Sequence, residues 1–291
     1  MSQQKTLKSS VKTSGIGVHS GVTANLTIKP ASVDSGIVFV RSDLKESNII
    51  PAVYDKVIDA RLCTIIQNDA GARVSTIEHL MSAFYGLGID NAIVEIDQEE
   101  MPIMDGSSAT FIALIEKAGI IAQSKGKKYL RITKAIEIEE GDKKIIIEPS
   151  DQFSINCAIN FSHPVIGQQE VSFSADCDYR YDVSRARTFG FAHEIEQLKK
   201  MGLARGGSLD NAVGLDETSV LNPEGLRYED EFVRHKLLDM LGDLKLAGME
   251  ILGKVSAFKP SHQLNNTLLR KIFESVGSFE IVEDYKLVAQ A

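Results

Sequence analysis

The sequence predicts an α+β protein built of two similar halves, and three observations carry that expectation. Short stretches alternating apolar and polar residues, the signature of half-buried strands, are interspersed with stretches of helical period. The pattern restarts after about residue 128, so each half holds several strands and about two helices. At 291 residues the chain is also long enough for two compact domains, each with its own core.

In the first half, residues 23–28 (T-A-N-L-T-I) alternate and are closed by Lys29-Pro30; 36–40 and 92–96 are further strand candidates. Residues 75–85 read as a helix ended by Gly86 and Gly88, and 109–118 as a second that stops at Gly119. The short polar segment 122–128 reads as a linker, which sets domains at 1–124 and 128–291. Beyond it, strands are expected at 129–132, 135–139, 144–148 and 153–159, and helices at 192–201, 229–247 and 265–275. Regions of about 41–71 and 162–202 read as insertions. The second sets Arg180, Arg185 and Arg187 among aromatic residues, which suits either an acyl chain with anionic groups or an ordinary packed loop.

Composition narrows the class. With 43% hydrophobic and 25% charged residues the chain is globular rather than disordered or fibrous. A net charge of -8 argues against broad nucleic-acid binding, which needs positive potential along the phosphate path. Three cysteines without a CxxC pair fit a reducing compartment. The first twenty residues hold no apolar core of a secretory signal, and no stretch approaches the ~18 apolar residues of a spanning helix. The expected location is cytoplasmic. Neither a Walker-type loop nor a dinucleotide fingerprint follows a strand, which weighs against a kinase-like scaffold.

Two segments carry chemistry. From Phe232 to Leu244 the period is helical, and His235, Asp239 and Asp243 fall at i, i+4 and i+8 along one stripe flanked by leucines. Buried carboxylates need a cation or several donors, and a His and an Asp one turn apart can share a metal ion. A surface ion-pair stripe with Lys236 and Lys245 fits the same spacing. In Ser75-Thr76-Ile77-Glu78-His79-Leu80, Ser75 and Glu78 match a capping box. Alternatively, a helix start presents His79 to a metal and Glu78 to water. Asp105-Gly106 could line a site or only turn the chain. His19, His163, His193 and His262 have no partner assigned by spacing; His163 before Pro164 suits a turn.

Seven segments taken together, in order and across nearly the whole chain, resemble the zinc-dependent UDP-3-O-acyl-N-acetylglucosamine deacetylases. They are T-S-G-I-G-V-H-S-G (13–21), S-T-I-E-H-L (75–80), G-L-G-I-D-N (86–91), P-I-M-D-G-S (102–107), S-R-A-R-T-F-G-F (184–191), the run from Leu221 to Leu244, and F-K-P-S-H-Q-L-N-N (258–266). The resemblance implies a two-domain layered sandwich, each domain a mostly antiparallel sheet packed on two helices, with the helices at the domain interface and a small insertion in each domain. It implies one catalytic Zn²⁺, for which Fe²⁺ can substitute, held by His79, His235 and Asp239, with Glu78 as the base that activates water. It further implies that Thr188 stabilises the oxyanion, that a cationic His262 oriented by Asp243 adds charge stabilisation, with either His262 or Glu78 protonating the leaving amine, and that Lys236 helps place substrate oxygens. Phe161 and Lys143 match positions near the uridine diphosphate. Phe189, Phe191, Ile195, Ala204, Gly207 and Ser208 match the acyl passage, and Glu194 an acidic position beside it. Lys259 stands where arginine is expected, and Arg61 where an apolar or small residue is expected. The implied partner is a UDP-linked acylated amino sugar, with no stable protein partner required for catalysis. A non-catalytic sugar-nucleotide or acyl-carrier binding protein on the same fold would have no use for Glu78, His262 and Thr188 together.

Overall fold

Two five-stranded sheets with one shared topology organise the chain. The computed structural model describes residues 2–283. In spatial order the first sheet runs Val11–Ile16, Thr23–Pro30, Ala92–Ile96, Ile37–Arg41, Ile49–Pro51. The second runs Ile136–Glu140, Lys143–Glu148, Lys254–Phe258, Ser154–Asn160, Gln168–Phe173. In each, the middle strand is antiparallel to one neighbour and parallel to the other, and the outer pairs are antiparallel. The flanking strands repeat too: Gln3–Leu7 pairs antiparallel with Ile120–Gly126, as Lys128–Ile132 does with Phe279–Glu283. The duplication expected from the pattern is therefore present in the topology.

A parallel pair cannot be joined by a hairpin, so each middle strand is reached by a crossover. Those crossovers carry the helices that matter. Among the described residues the α-helices are α1 (Glu78–Leu87), α2 (Ala109–Ala118), α3 (Tyr179–Asp182), α4 (Ala192–Lys200), α5 (Glu231–Leu244) and α6 (His262–Glu274). Helices α1 and α5 occupy equivalent places in the two halves and pack against each other; α2 and α6 flank them. The first sheet packs on α2, and the second on α5 and α6. The result is an α+β sandwich with its helices between two sheets. Phe232, Val233, Leu237, Leu238, Met240, Leu241 and Leu244 of α5 are all buried, as a helix enclosed between layers requires. Its approach to α1 is possible only at a glycine. A β-carbon on Gly242 would lie 2.1 Å from the Glu78 carbonyl oxygen and 3.1 Å from the Ser82 nitrogen.

Several expectations are corrected. Residues 122–128 are not a free linker, because most of the segment is the Ile120–Gly126 strand. Lys127, just after it, is a buried tie between the halves. Its ammonium pairs with Glu250, lies 3.3 Å from Asp90 and donates to the Gly88 carbonyl at 3.2 Å. Ile49–Pro51 and Gln168–Phe173, expected within the insertions, are strands of the main sheets. The additions that remain are a three-stranded sheet (Val57–Asp59, Ile65–Gln67, Arg73–Val74) and the region between Phe173 and α5. Helix α6 begins at His262 rather than 265, because the Ser261 hydroxyl caps it by accepting from the Leu264 N–H at 3.3 Å. Among the described residues no helix is long and apolar enough to cross a membrane.

Two outcomes are expected. Gly242→Ala forces α1 off α5, and overpacking of this kind lowers stability by about 1–3 kcal/mol; an unchanged thermal midpoint contradicts the contact. For Glu250, burial raises the carboxyl pKa, but Lys127 and Lys245 outweigh it and hold the group below its usual range. Its stabilising contribution is therefore present above the unfolded-state value of about 4.3 and is lost as pH falls through the depressed folded value. Glu250→Gln should cost on the order of 3 kcal/mol near neutrality. In denaturant titrations that difference should shrink with acid, and a difference constant from neutral to acid pH would contradict the ion pair.

Candidate active site

Helix α1 starts at Glu78, so Glu78 and His79 sit at its first turn, directly against the middle of α5. From α5, His235, Asp239 and Asp243 project on one stripe at one-turn intervals. The stripe is buried, with these three side chains at most 5% exposed, which removes the surface ion-pair alternative. One donor atom from each of His79, His235 and Asp239 lies within 4.8 Å of the others. Asp239 Oδ1 is 3.3 Å from His235 Nε2 and 3.8 Å from His79 Nε2. That oxygen is buried and makes no hydrogen bond among the described residues, and the same holds for His79 Nδ1. Asp239 Oδ2 is occupied, accepting from Lys236 Nζ at 2.9 Å.

The capping-box alternative for Glu78 also fails. The residue before α1 is Ile77, without a side-chain cap, and the Ser75 hydroxyl donates to the Glu99 carbonyl instead. Glu78 Oε2 accepts from the Thr64 backbone N–H at 3.1 Å, and Oε1 lies 3.9 Å from His262 Nε2. His262 Nδ1 donates to Asp243 Oδ2 at 2.8 Å.

Burial sets the charge states. It pushes the Glu78 carboxyl up to about 7, with His262 opposing and Asp243 and Asp239 assisting. Burial, with His235 next to it, lowers His79 to about 3, and burial likewise lowers His235. Both imidazoles are thus neutral with a free lone pair, the form a metal needs. The His235 Nδ1–H donates to the Ala186 carbonyl at 3.0 Å, which fixes the tautomer and turns Nε2 toward Asp239. For His262, burial opposes the charge, but Asp243, Asp239 and Glu78 outweigh it and raise the imidazole to about 10.

These groups line a cavity of about 460 Å³. Glu78, His79, His235, Lys236, Asp239 and His262 form its polar end, with Thr188 beside them. Phe189, Phe191, Ile195, Ala204, Gly207 and Ser208 line the apolar extension, and Glu194 lies at its side. Phe161 stands just behind, its ring 5.8 Å from Phe189 and 6.3 Å from Phe191. Asp243 supports His262 from below. Among the described lining residues neither Lys143 nor Lys259 appears; Lys259 pairs with Asp142 on the second sheet. Arg61 points to solvent and pairs with Asp59, leaving Leu62 and Cys63 to line the wall.

Other expectations resolve locally. Arg180 and Arg185 of the second insertion are exposed, and Arg187 is buried in ion pairs. Arg180 pairs with Glu116, and Arg187, 2% exposed, pairs with Glu231 and Glu224. The Arg187 clamp holds residues 186–188 on α5, so the Ala186 carbonyl meets His235 and Thr188 reaches the cavity. Asp105 bonds Ser107 and Arg227, the turn alternative, while Gly106 lets the chain pass where a β-carbon would lie 2.0 Å from the Asn211 carbonyl oxygen. His163 shapes a turn, with its Nε2 2.9 Å from the Asp216 carbonyl oxygen. His19, unassigned by spacing, lines the cavity. Its loop is held by Glu100, which accepts from the His19 and Ser20 N–H groups at 2.7 Å each. Nothing in local periodicity marks Thr64, Glu100 or Arg187, because each acts across the fold.

Two histidines and an aspartate thus converge on one buried point as a group that could hold a metal ion, with the Glu78 carboxylate and the His262 imidazole beside it. Residues 4–274 match the family described as UDP-3-O-acyl N-acetylglycosamine deacetylase, and the chain belongs to that family. It is 51% identical over 283 residues to the UDP-3-O-acyl-N-acetylglucosamine deacetylase of Shewanella halifaxensis, and 52% identical over 283 residues to that of Shewanella violacea. Both alignments cover 96% of this chain and 92% of the relative.

The group that could hold a metal comprises His79, His235 and Asp239 and does not include His262. His79→Ala and Asp239→Ala are expected to lose bound metal on dialysis, whereas His262→Ala retains it, as elemental analysis of the purified variants will report. Equal loss in all three would contradict the division.

Proposed function

We propose that this chain hydrolyses the acetamide of UDP-3-O-(3-hydroxyacyl)-N-acetylglucosamine in lipid A biosynthesis, releasing acetate and the free 2-amino sugar nucleotide. The proposed cofactor is one Zn²⁺, replaceable by Fe²⁺, on His79, His235 and Asp239. The observation that carries this is the buried, unpartnered Asp239 Oδ1 facing two neutral imidazoles, since an uncompensated buried carboxylate oxygen costs several kcal/mol. Such a donor set fits a divalent ion. When bound, the ion supplies Lewis acidity that activates water and polarises the acetamide carbonyl at neutral pH.

The chain's own residues do the rest. Glu78 takes the proton of the attacking water as the new C–O bond forms. The Thr188 hydroxyl donates to the developing oxyanion. His262 gives its Nε2 proton to the amide nitrogen as the C–N bond breaks, and Asp243 keeps that imidazole cationic and oriented. Lys236 holds substrate oxygens at the cavity's polar end. Phe189 and Phe191 take the hydroxyacyl chain, with Glu194 beside it. Phe161 serves the uridine diphosphate, and Lys143 and Lys259 meet its charges from the second sheet. Two domains, 1–124 and 128–291, cytoplasmic action and catalysis without a stable protein partner complete the proposal.

Acetate release from the acylated UDP-sugar tests it. Glu78→Gln should retain metal and lose at least about 100-fold in kcat, the usual scale of a general base. A metal-loaded variant as active as the wild type would sink the assignment.

A further inference from the structure

Thr64 touches the proposed base, Glu78, and Asp243, the partner of the proposed acid His262. Its backbone N–H donates to Glu78 Oε2 at 3.1 Å, and its hydroxyl donates to Asp243 Oδ1 at 2.5 Å. Asp243 uses its other oxygen to accept from His262 Nδ1 and from Asn265 Nδ2, each at 2.8 Å. His262 Nε2 then faces Glu78 Oε1 across 3.9 Å. The arrangement is a ring of three hydrogen bonds and one gap, and both groups that border the gap line the cavity. Thr64 is 1% exposed and enters from the three-stranded sheet of the first half, immediately after the cavity-lining Leu62 and Cys63.

We propose that Thr64 is a positioning residue that sets the separation between Glu78 and His262, an inference that rests on the deacetylase assignment above. The physical basis is that both anchors belong to one stiff residue. A β-branched side chain has few χ1 choices, so its nitrogen and hydroxyl oxygen keep a fixed spacing. That spacing is transmitted to Glu78 on one side and, through Asp243, to the imidazole on the other. Removing the hydroxyl leaves Asp243 Oδ1 buried without a donor. The carboxylate then turns toward its remaining partners and takes His262 with it. The small sheet of the first half thereby acquires a purpose, since it delivers Thr64 across the helix layer to α5 of the second half.

The test compares full-length, metal-loaded wild type, Thr64→Val and Thr64→Ser. Valine keeps the shape and the backbone donor and removes only the hydroxyl; serine restores it. Steady-state acetate release, metal content, thermal midpoint and the ring resonances of His262 in NMR (assigned with His262→Gln) are measured together. Thr64→Val is expected to lower kcat by about 10–100-fold, as outer residues of metal sites do. KM and metal content should stay near wild type while the His262 resonances shift, and Thr64→Ser should recover both kcat and resonances. Wild-type kcat in Thr64→Val, or a loss that follows metal or folding while His262 is unmoved, overturns the proposal. If the wild type releases no acetate, the deacetylase assignment fails separately. The His262 resonances then decide alone: unmoved in Thr64→Val, they refute the role of Thr64; moved and restored by serine, they support it.

Discussion

The close packing of α1 on α5 at Gly242 is the constraint on which the site depends. It sets the first turn of one helix beside the middle of the other, so residues more than 150 positions apart share one buried cluster. A single β-carbon at that crossing would collide with the carbonyl of Glu78 itself. Backbone approach and functional geometry are thus one requirement, met by the absence of a side chain.

Burial then does chemical work. The same exclusion of water raises the Glu78 carboxyl to about 7, close to neutrality, and lowers His79 to about 3, so that its imidazole is neutral with a lone pair free. The cluster does not simply neutralise itself. Asp243 is committed to His262, Thr64 and Asn265, and one oxygen of Asp239 to Lys236. Among the described residues, one oxygen of Asp239 is left without a hydrogen bond on the side where the imidazoles converge, as is His79 Nδ1. Buried polar groups are almost always satisfied, so such an exception marks function more sharply than the presence of charged residues.

How much of this was legible in the sequence follows from the range of the forces involved. The α5 stripe was readable because helical period is local: His235, Asp239 and Asp243 share a face whatever surrounds them. The period left two alternatives, surface ion pairs or a metal, and only burial separates them. Edge strands such as Val11–Ile16 and Gln168–Phe173 escaped because their alternation is half exposed and polar, with too little apolar contrast to read. Segment 122–128 resembled a linker because its side chains are polar, yet its backbone finds a partner in Gln3–Leu7 and its Lys127 a partner in Glu250. Thr64 and Glu100, and the ion pairs of Arg187, were invisible for a different reason. Each works through a bond to a residue far away in the chain, and composition carries no trace of that.

The duplicated topology explains why the site has its asymmetry. Two equivalent crossover helices meet at the centre, but a pseudo-symmetric pair need not present equivalent residues to one point. Helix α1 contributes through its N-terminal turn, where Glu78 and His79 stand side by side; α5 contributes from its interior, where only an i, i+4, i+8 stripe can face inward. One helix therefore supplies Glu78 next to His79, while the other supplies His235, Asp239 and the Asp243 that anchors His262. The two added regions finish what the helices leave open. Arg187 holds the segment 186–188, whose Ala186 carbonyl orients His235, and the small sheet of the first half brings Thr64 between Glu78 and Asp243. A symmetric scaffold becomes a directional site because its two insertions differ.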